Sequence, residues 1–433
     1  MCFDSSNKPR FRDMVVVARH AKILKAPVKV HRISEIYEKY MDDYKKSPLR
    51  RLFLEPKHDL GINCTCSCRT PQMGGVVLAC PDCGDMHYHY HSCGHRFCPT
   101  CGVHATNKWA KTILRNLLNI RHYHIVLTLP YKLRRLAQRN GDLLHDLLFT
   151  IAAKVIQEWF EARGLLCGMI AVLHTAGSDL KYHPHVHLIV SAGGSDLQTA
   201  EIEELTGNYL MYHKYLAKKF RFYFTKALIK LYDKEQLKVQ GEYVQRPFFM
   251  NFIKKVNEKA WIVGIDKPLK DATDIVRYVA RYTRRACMSE YKIIDINDGK
   301  ISFSFNDYKN TPRGQYPPTP GVCTLTYVEF LDRLLQHVPN PGFQAVRRYG
   351  LYTGRNMKTI PPLYKLPEVV IEQADIDNNN DETGDDPAEW ETNYDRCPDC
   401  GTKRVIIEVV IAKRLLNRPN NVIKRQAEYE NST

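Results

Sequence analysis

A chain of 433 residues with 44% hydrophobic and 25% charged residues is long enough for two or three domains with real cores, and too balanced to be disordered or fibrous. Its net charge of +16 points to a polyanionic partner, because neutralised phosphates release counterions, but charge alone does not separate DNA from RNA or from an anionic membrane. The first 25 residues scatter their charges with no apolar segment, and no apolar run approaches the roughly 18 residues of a membrane span, so the reading is a cytosolic protein whose fourteen cysteines bind metal rather than form disulfides.

In chain order, residues 1–60 read as a basic helical region, with Ile36, Tyr37, Tyr40 and Met41 spaced as the core face of a helix over 34–44. Residues 61–120 read as a zinc-binding domain: eight cysteines and five histidines precede a helix over 106–120 that carries Trp109, Ile113, Leu117 and Ile120 on one face. Residues 121–312 read as a sheet domain. Its strands are expected at 122–129, at 168–175 after a helix near 143–162, and at 184–190, the last stopping at Gly193-Gly194. A helical insertion is expected near 200–255. Within it, residues 214–230 alternate Lys and Arg with Tyr and Phe, which suits either a nucleic-acid track or an amphipathic core helix with a solvated face. A strand over 261–265 follows, then a helix capped by Asp271 or Thr273 and running to about Arg285, then a hairpin of 292–296 and 300–305 around Asn297-Asp298-Gly299. Residues 313–365 read as a mixed C-terminal region, helical or DNA-binding. Residues 366–395 hold about eleven carboxylates and no Lys or Arg, and read as an acidic linker. Residues 396–433 form a tail with Cys397-Pro398-Asp399-Cys400-Gly401 and a β-rich run. The mixture of expected helices and strands makes the fold class α+β, with small metal-binding modules toward both ends.

Cys80-x-x-Cys83-Gly84 and Cys98-x-x-Cys101-Gly102 are two zinc knuckles fourteen residues apart, and are expected to pair as one closed, structural four-cysteine site. A second zinc site, with Cys68 and Cys93 as possible ligands, has Cys64, Cys66, His87, His89, His91, His95 and His104 also to draw on. Cys397 and Cys400 supply two ligands only, so they must borrow partners, with Cys323 and His337 as candidates, or stay empty.

The stretch His183-Pro184-His185-Val186-His187 opens an apolar run. In a strand, residues two apart point to one face, so His185 and His187 converge as a sheet would hold a divalent ion. The bland alternative is a pair of histidines on a half-exposed strand. His174, on the preceding strand, falls roughly opposite His185 across a short turn and is the candidate third ligand. Its other role is a cross-strand polar contact, and His183 competes for the same place. Downstream, Tyr278 and Tyr282 stand one turn apart on a predicted helix, beside Arg277 and Arg281 and followed by Arg284 and Arg285. Two phenols with flanking guanidiniums suit attack on a phosphodiester. A phenol of ordinary pKa near 10 needs an electropositive site and an activated phosphorus. The alternative is two tyrosines packed at a core edge.

Together these residues resemble a known family. HxH followed by YxxxY is similar to the HUH endonucleases of the two-tyrosine kind. Cys68-Arg69-Thr70, Gly74-Gly75, the Cys80 knuckle and the run from His91 to Cys101 resemble the zinc-binding domain of rolling-circle transposases of the IS91 type. So do the motifs 126–130, 171–175, 182–187, 277–283 and 349–352, and the tail CPxCG, in order over residues 60–402. This chain departs from it at His95 and Phe97, where the family more often has Asn and His, in the extra Cys64 and Cys66, and in its long acidic linker. The resemblance implies an HUH core over 121–312, an antiparallel sheet flanked by helices, with magnesium or manganese at His185, His187 and His174 and Tyr278 or Tyr282 as nucleophile. It further implies single-stranded DNA at transposon ends and target sites as substrate, a covalent 5′-phosphotyrosine intermediate, structural zinc, and work at the bacterial nucleoid in the cytoplasm. The alternatives are a rolling-circle replication initiator and a non-enzymatic zinc-dependent nucleic-acid-binding regulator. The zinc module speaks against the first, and the second leaves the histidines and tyrosines unused.

Overall fold

The computed structural model describes residues 31–101, 117–207, 210–266, 268–269, 286–308, 310–312, 315, 318–366 and 395–412. In chain order, the elements that position the site are α1 (Ile33–Lys45), α2 (Pro56–Ser67), β1 (Gly75–Ala79), β2 (Met86–Tyr90), β3 (His122–Thr128), α3 (Gly141–Glu161), β4 (Leu165–Ala176), β5 (Tyr182–Asp196), β6 (Ile202–Glu204), α4 (His213–Asp233), α5 (Arg246–Asn257), β7 (Val263–Ile265), β8 (Ile293–Asn297), β9 (Lys300–Asn306), β10 (Pro320–Thr326), α6 (Tyr327–Leu335), β11 (Val346–Gly350) and β12 (Val405–Val410). The mixture of helices with antiparallel sheets is the α+β class expected from the sequence.

The central sheet runs β11-β4-β5-β3-β7, with β6 beside β5, and every pairing is antiparallel. Strict alternation gives it two different faces. On one, Tyr123, Ile125 and Leu127 of β3, Met169, Ala171 and Leu173 of β4, and Val186, Leu188 and Val190 of β5 line up in register. They bury against helices α3, α4 and α5 through residues such as Phe149, Ile156, Phe220, Phe224 and Phe249. Each such side chain taken fully out of water contributes about 1.5–3 kcal/mol. On the other face, Ile170, Val172 and Ile189 pack with Leu117, Leu118, Leu351 and Tyr352 in a smaller core. Toward the β4–β5 turn this face changes from apolar to histidine.

One expectation changes here. Strand β5 does not stop at Gly193-Gly194 but runs on to Asp196. The glycines permit this because a Cβ on Gly193 would sit 1.9 Å from the carbonyl oxygen of Glu203, and one on Gly194 would sit 2.1 Å from that of Leu166. The pair marks a close approach of neighbouring strands rather than a strand end. The 313–365 segment is also tied into this domain. Its strand β11 pairs with β4, and Leu118 bridges Lys365.

A second core joins chain regions far apart in sequence. Ile36, Tyr37, Tyr40, Met41 and Tyr44 form the buried stripe of α1. They pack with Ile62, Phe97, Ile301 and Phe303, and with Phe330, Leu331 and Leu334 of α6. Helix α6 starts in a capping box, in which the Glu329 amide donates to Thr326 Oγ1 at 3.2 Å and the Thr326 amide donates to the Glu329 carboxylate at 3.3 Å. Strands β8, β9 and β10 form their own three-stranded sheet. The expected hairpin is its first half, with Asp298 and Gly299 at positive φ in the turn. The tail strand β12 pairs with β1, which also pairs with β2, so the chain's last described strand completes a sheet begun in the zinc-rich region. Among the described residues, no helix is long and apolar enough to cross a membrane.

Candidate active site and metal centres

Among the described residues, eight cysteines gather into two clusters of four, and the grouping differs from the one expected. Cys98 and Cys101 lie not with Cys80 and Cys83 but with Cys68 and Cys93. Cys101 Sγ is 3.3 Å from Cys68 Sγ and 3.4 Å from Cys93 Sγ. Backbone amides aim at the sulfurs: the Gly94 amide donates to Cys101 at 3.1 Å, and the Cys93 amide to Cys68 at 3.4 Å. Cys93, Cys98 and Cys101 are buried. Four convergent thiols with amide donors suit a closed tetrahedral zinc site, since thiolates bind the metal and N–H groups spread their charge.

Cys80 and Cys83 instead meet Cys397 and Cys400. The contacts are 3.4 Å between Cys80 and Cys400 and 3.5 Å between Cys83 and Cys397. The two knuckles share one turn: Gly84 (φ 76°) donates its amide to the Cys80 carbonyl, and Gly401 (φ 73°) donates to the Cys397 carbonyl. Only glycine adopts that left-handed backbone at little cost, which is why CxxCG is the legible unit. An ion pair of Arg404 with Asp85 and a hydrogen bond from Thr402 to Asp82 join the knuckles beside the sulfurs. The earlier candidates for the tail are elsewhere: Cys323 lies in β10, and His337 bonds Thr175 and the Leu180 carbonyl. The pairing failed in sequence because nearness along the chain favoured Cys98 and Cys101. The β1–β12 pairing that brings up the tail is tertiary.

The histidines come together as the period of the strand required. β5 lies between β4 and β3, so His185 stands opposite His174 on one side and Thr128 on the other. One step along the same face, His187 stands between Val172 and Val126. A nitrogen of each of His174, His185 and His187 lies within 4.8 Å of the others. The ring centroids are 4.5 Å apart for His174 and His187 and 4.9 Å for His185 and His187. His185 Nδ1 contacts the His183 carbonyl at 2.6 Å, so Nδ1 carries the proton and the Nε2 lone pair is the one offered to a metal. Burial lowers the pKa of His185. Burial, followed by the neighbouring imidazoles, holds His187 well below the ordinary histidine range. Neutral imidazoles are the ligand form. The residues therefore fit a divalent ion, with three nitrogen donors on one face of a rigid sheet.

Several residues near this cluster were not singled out from the sequence. His124 of β3 contacts His187, and Asp266, just past β7, contacts His124. The signal was present, since His122-Tyr123-His124 is itself an HxH on an expected strand. The two histidines of that pair part company: His122 is buried and bonds the Tyr352 hydroxyl at 2.6 Å. Arg134 donates to His183 Nδ1, which sets a guanidinium at the edge of the cluster and His183 outside it. Burial, with Arg134 next, takes the pKa of His183 down to about 4. Helix α4 answers both readings of its sequence: Leu216, Phe220, Phe224 and Leu228 are buried, while Tyr215 and Phe222 lie exposed among Lys219 and Lys226. Tyr278, Tyr282, Arg277, Arg281, Arg284 and Arg285 lie outside the described residues.

The comparisons with known proteins agree with this layout. A family model described as "Transposase zinc-binding domain" matches residues 36–129, and one described as "Putative transposase" matches residues 168–359. A protein of Sinorhizobium fredii named "Putative transposase y4qJ" is 31% identical over 294 residues, covering 66% of this chain and 72% of that protein. The chain belongs to the IS91-type transposases. The transposase of insertion sequence element IS801 from Pseudomonas savastanoi pv. phaseolicola is 28% identical to this transposase over 295 residues, 67% of this chain and 68% of that one. No solved structure matches the transposase. Its two cysteine clusters and the zinc-binding-domain match together support structural zinc.

Proposed function

We propose that this transposase cleaves and rejoins single-stranded DNA at its element's termini through a tyrosine, with the DNA held on a metal-binding histidine face. The observation that carries the proposal is the convergence of His174, His185 and His187 on the face of the central strand opposite the helical core. A divalent ion held by those three residues supplies Lewis-acid polarisation of the scissile phosphate. Three imidazoles suit a transition ion better than the oxygen-seeking Mg2+, so Mn2+ is expected to bind at the lower concentration.

The rest is the work of this chain's own side chains. Tyr278 or Tyr282 attacks the phosphorus. The tyrosyl O–P bond forms as the bond to the 3′-oxygen breaks, and the departing oxygen leaves as a 3′-hydroxyl. The phosphotyrosine conserves the energy of the broken linkage, so rejoining by a second hydroxyl needs no nucleotide cofactor. Arg277, Arg281, Arg284 and Arg285 hold the backbone through charge-assisted contacts, and Arg134 adds positive charge at the edge of the histidines. The two cysteine sites have no open ligand position and serve the fold.

The test uses the full-length protein with Mn2+ or Mg2+ and a single strand from the element's terminus. A detergent-stable adduct on the 5′ side of the cut is expected. The Tyr278→Phe, Tyr282→Phe double variant should lose it, and His185→Ala, His187→Ala should lower its rate at least ~100-fold. Absence of the adduct with wild-type protein on a proper terminus sinks the nuclease reading. Its persistence in the double tyrosine variant sinks the nucleophile assignment.

A further inference from the structure

We infer that His124 and Asp266 are positioning residues that lock His187 in the metal-binding tautomer, extending the histidine site into a carboxylate–histidine–histidine chain. The inference rests on the metal reading of His174, His185 and His187 and adds two residues to it. His124 Nδ1 lies 2.5 Å from Asp266 Oδ2, and His124 Nε2 lies 2.8 Å from His187 Nδ1. The two imidazoles stack with centroids 5.1 Å apart and planes 12° from parallel. The backbone of Asp266 is held beside β3, because its amide donates to the His124 carbonyl at 3.0 Å.

With His124 in its neutral form, valence orders the protons along this chain. An ionised carboxylate only accepts, so His124 Nδ1 carries a hydrogen. A neutral His124 then presents a lone pair at Nε2, which requires the hydrogen on His187 Nδ1. That puts the His187 lone pair on Nε2, the ring nitrogen a divalent ion would take. His185 reaches the same tautomer by a separate route, through the carbonyl of His183. Both members of the HxH are therefore set to offer Nε2, one by its own strand and one by a neighbouring strand. Metal-bound histidines held through their second nitrogen by a carboxylate or carbonyl are a general device, and removing the outer partner costs about 10–100-fold in metal affinity. Here the device spans two family matches: His124 lies within the segment matched by the zinc-binding domain and Asp266 within the one matched by the transposase. The first strand after the zinc module thus supplies a part of the histidine site.

The experiment is Mn2+ titration of the zinc-loaded full-length protein by calorimetry, with nitrogen NMR of labelled histidines as a second readout. His124→Ala and Asp266→Ala should each weaken Mn2+ by about 10–100-fold while zinc content stays that of wild type. His124→Gln, whose side-chain carbonyl still accepts from His187, should recover most of the affinity. In the wild type, the His187 signal should be that of the Nδ1-protonated ring, and His124→Ala should mix its tautomers. Unchanged Mn2+ affinity in both alanine variants, with an unshifted His187 signal, overturns the relay. Failure of the underlying metal reading is distinguishable, because His185→Ala, His187→Ala would then bind Mn2+ as tightly as wild type.

Discussion

Among the described residues, the two kinds of cluster that could hold a metal differ in donor, closure and reach. The cysteine sites are sulfur cages with all four positions supplied by protein: one gathers Cys68, Cys93, Cys98 and Cys101, and the other spans from Cys80 to Cys400. The histidine site has three nitrogens on one sheet face, with the apolar core on the opposite face. A closed cage contributes to folding, because the unfolded chain has no such site. An open site of desolvated imidazoles contributes to chemistry and often costs stability. The cysteine cages differ from one another too. The first is buried and local, whereas two of the second's four sulfurs are exposed and its ligands come from both ends of the chain.

That ranking can be broken by substitution. The largest effect on stability is expected from Cys98→Ser, Cys101→Ser, which removes half of the buried cage. Structural zinc contributes on the order of 10 kcal/mol in small modules, so the zinc-binding region should lose its cooperative melting transition, and zinc content should fall by one per chain in native mass spectrometry. An intermediate effect is expected from Cys397→Ser, Cys400→Ser. One zinc is again lost, but the central-sheet domain should melt as before while β12 amides lose their exchange protection. A protease site placed between residues 367 and 394 sharpens this case: after cutting, the tail should stay attached until a chelator is added. If the tail leaves at once, zinc does not clasp it. The smallest effect is expected from His185→Ala, His187→Ala, with melting within a few degrees of wild type although Mn2+ binding is abolished. A collapse of the fold in that variant would make the histidines structural.

Much of the site was legible because strands repeat every two residues. His185 and His187 had to share a face, and one short turn had to bring His174 beside them. The 3.6-residue repeat of a helix likewise placed Ile36, Tyr37 and Tyr40 on a buried stripe. His124 was missed because it contributes from a strand distant in sequence, where nothing local separates it from its core neighbour His122. The end of β5 was misjudged because glycine is required both for turns and for close strand approach, and sequence alone does not say which.

Local chemistry, then, was determined by the sequence: CxxCG makes a knuckle, and HxH on a strand makes a paired imidazole face. Both follow from backbone geometry over fewer than six residues. Partnership was decided by tertiary structure. Which knuckle faces which depends on β12 adding to β1, and which histidine backs His187 depends on β3 lying beside β5. Such pairings join residues tens to hundreds of positions apart, and the physical terms that select them, burial and strand register, are sums over the whole fold.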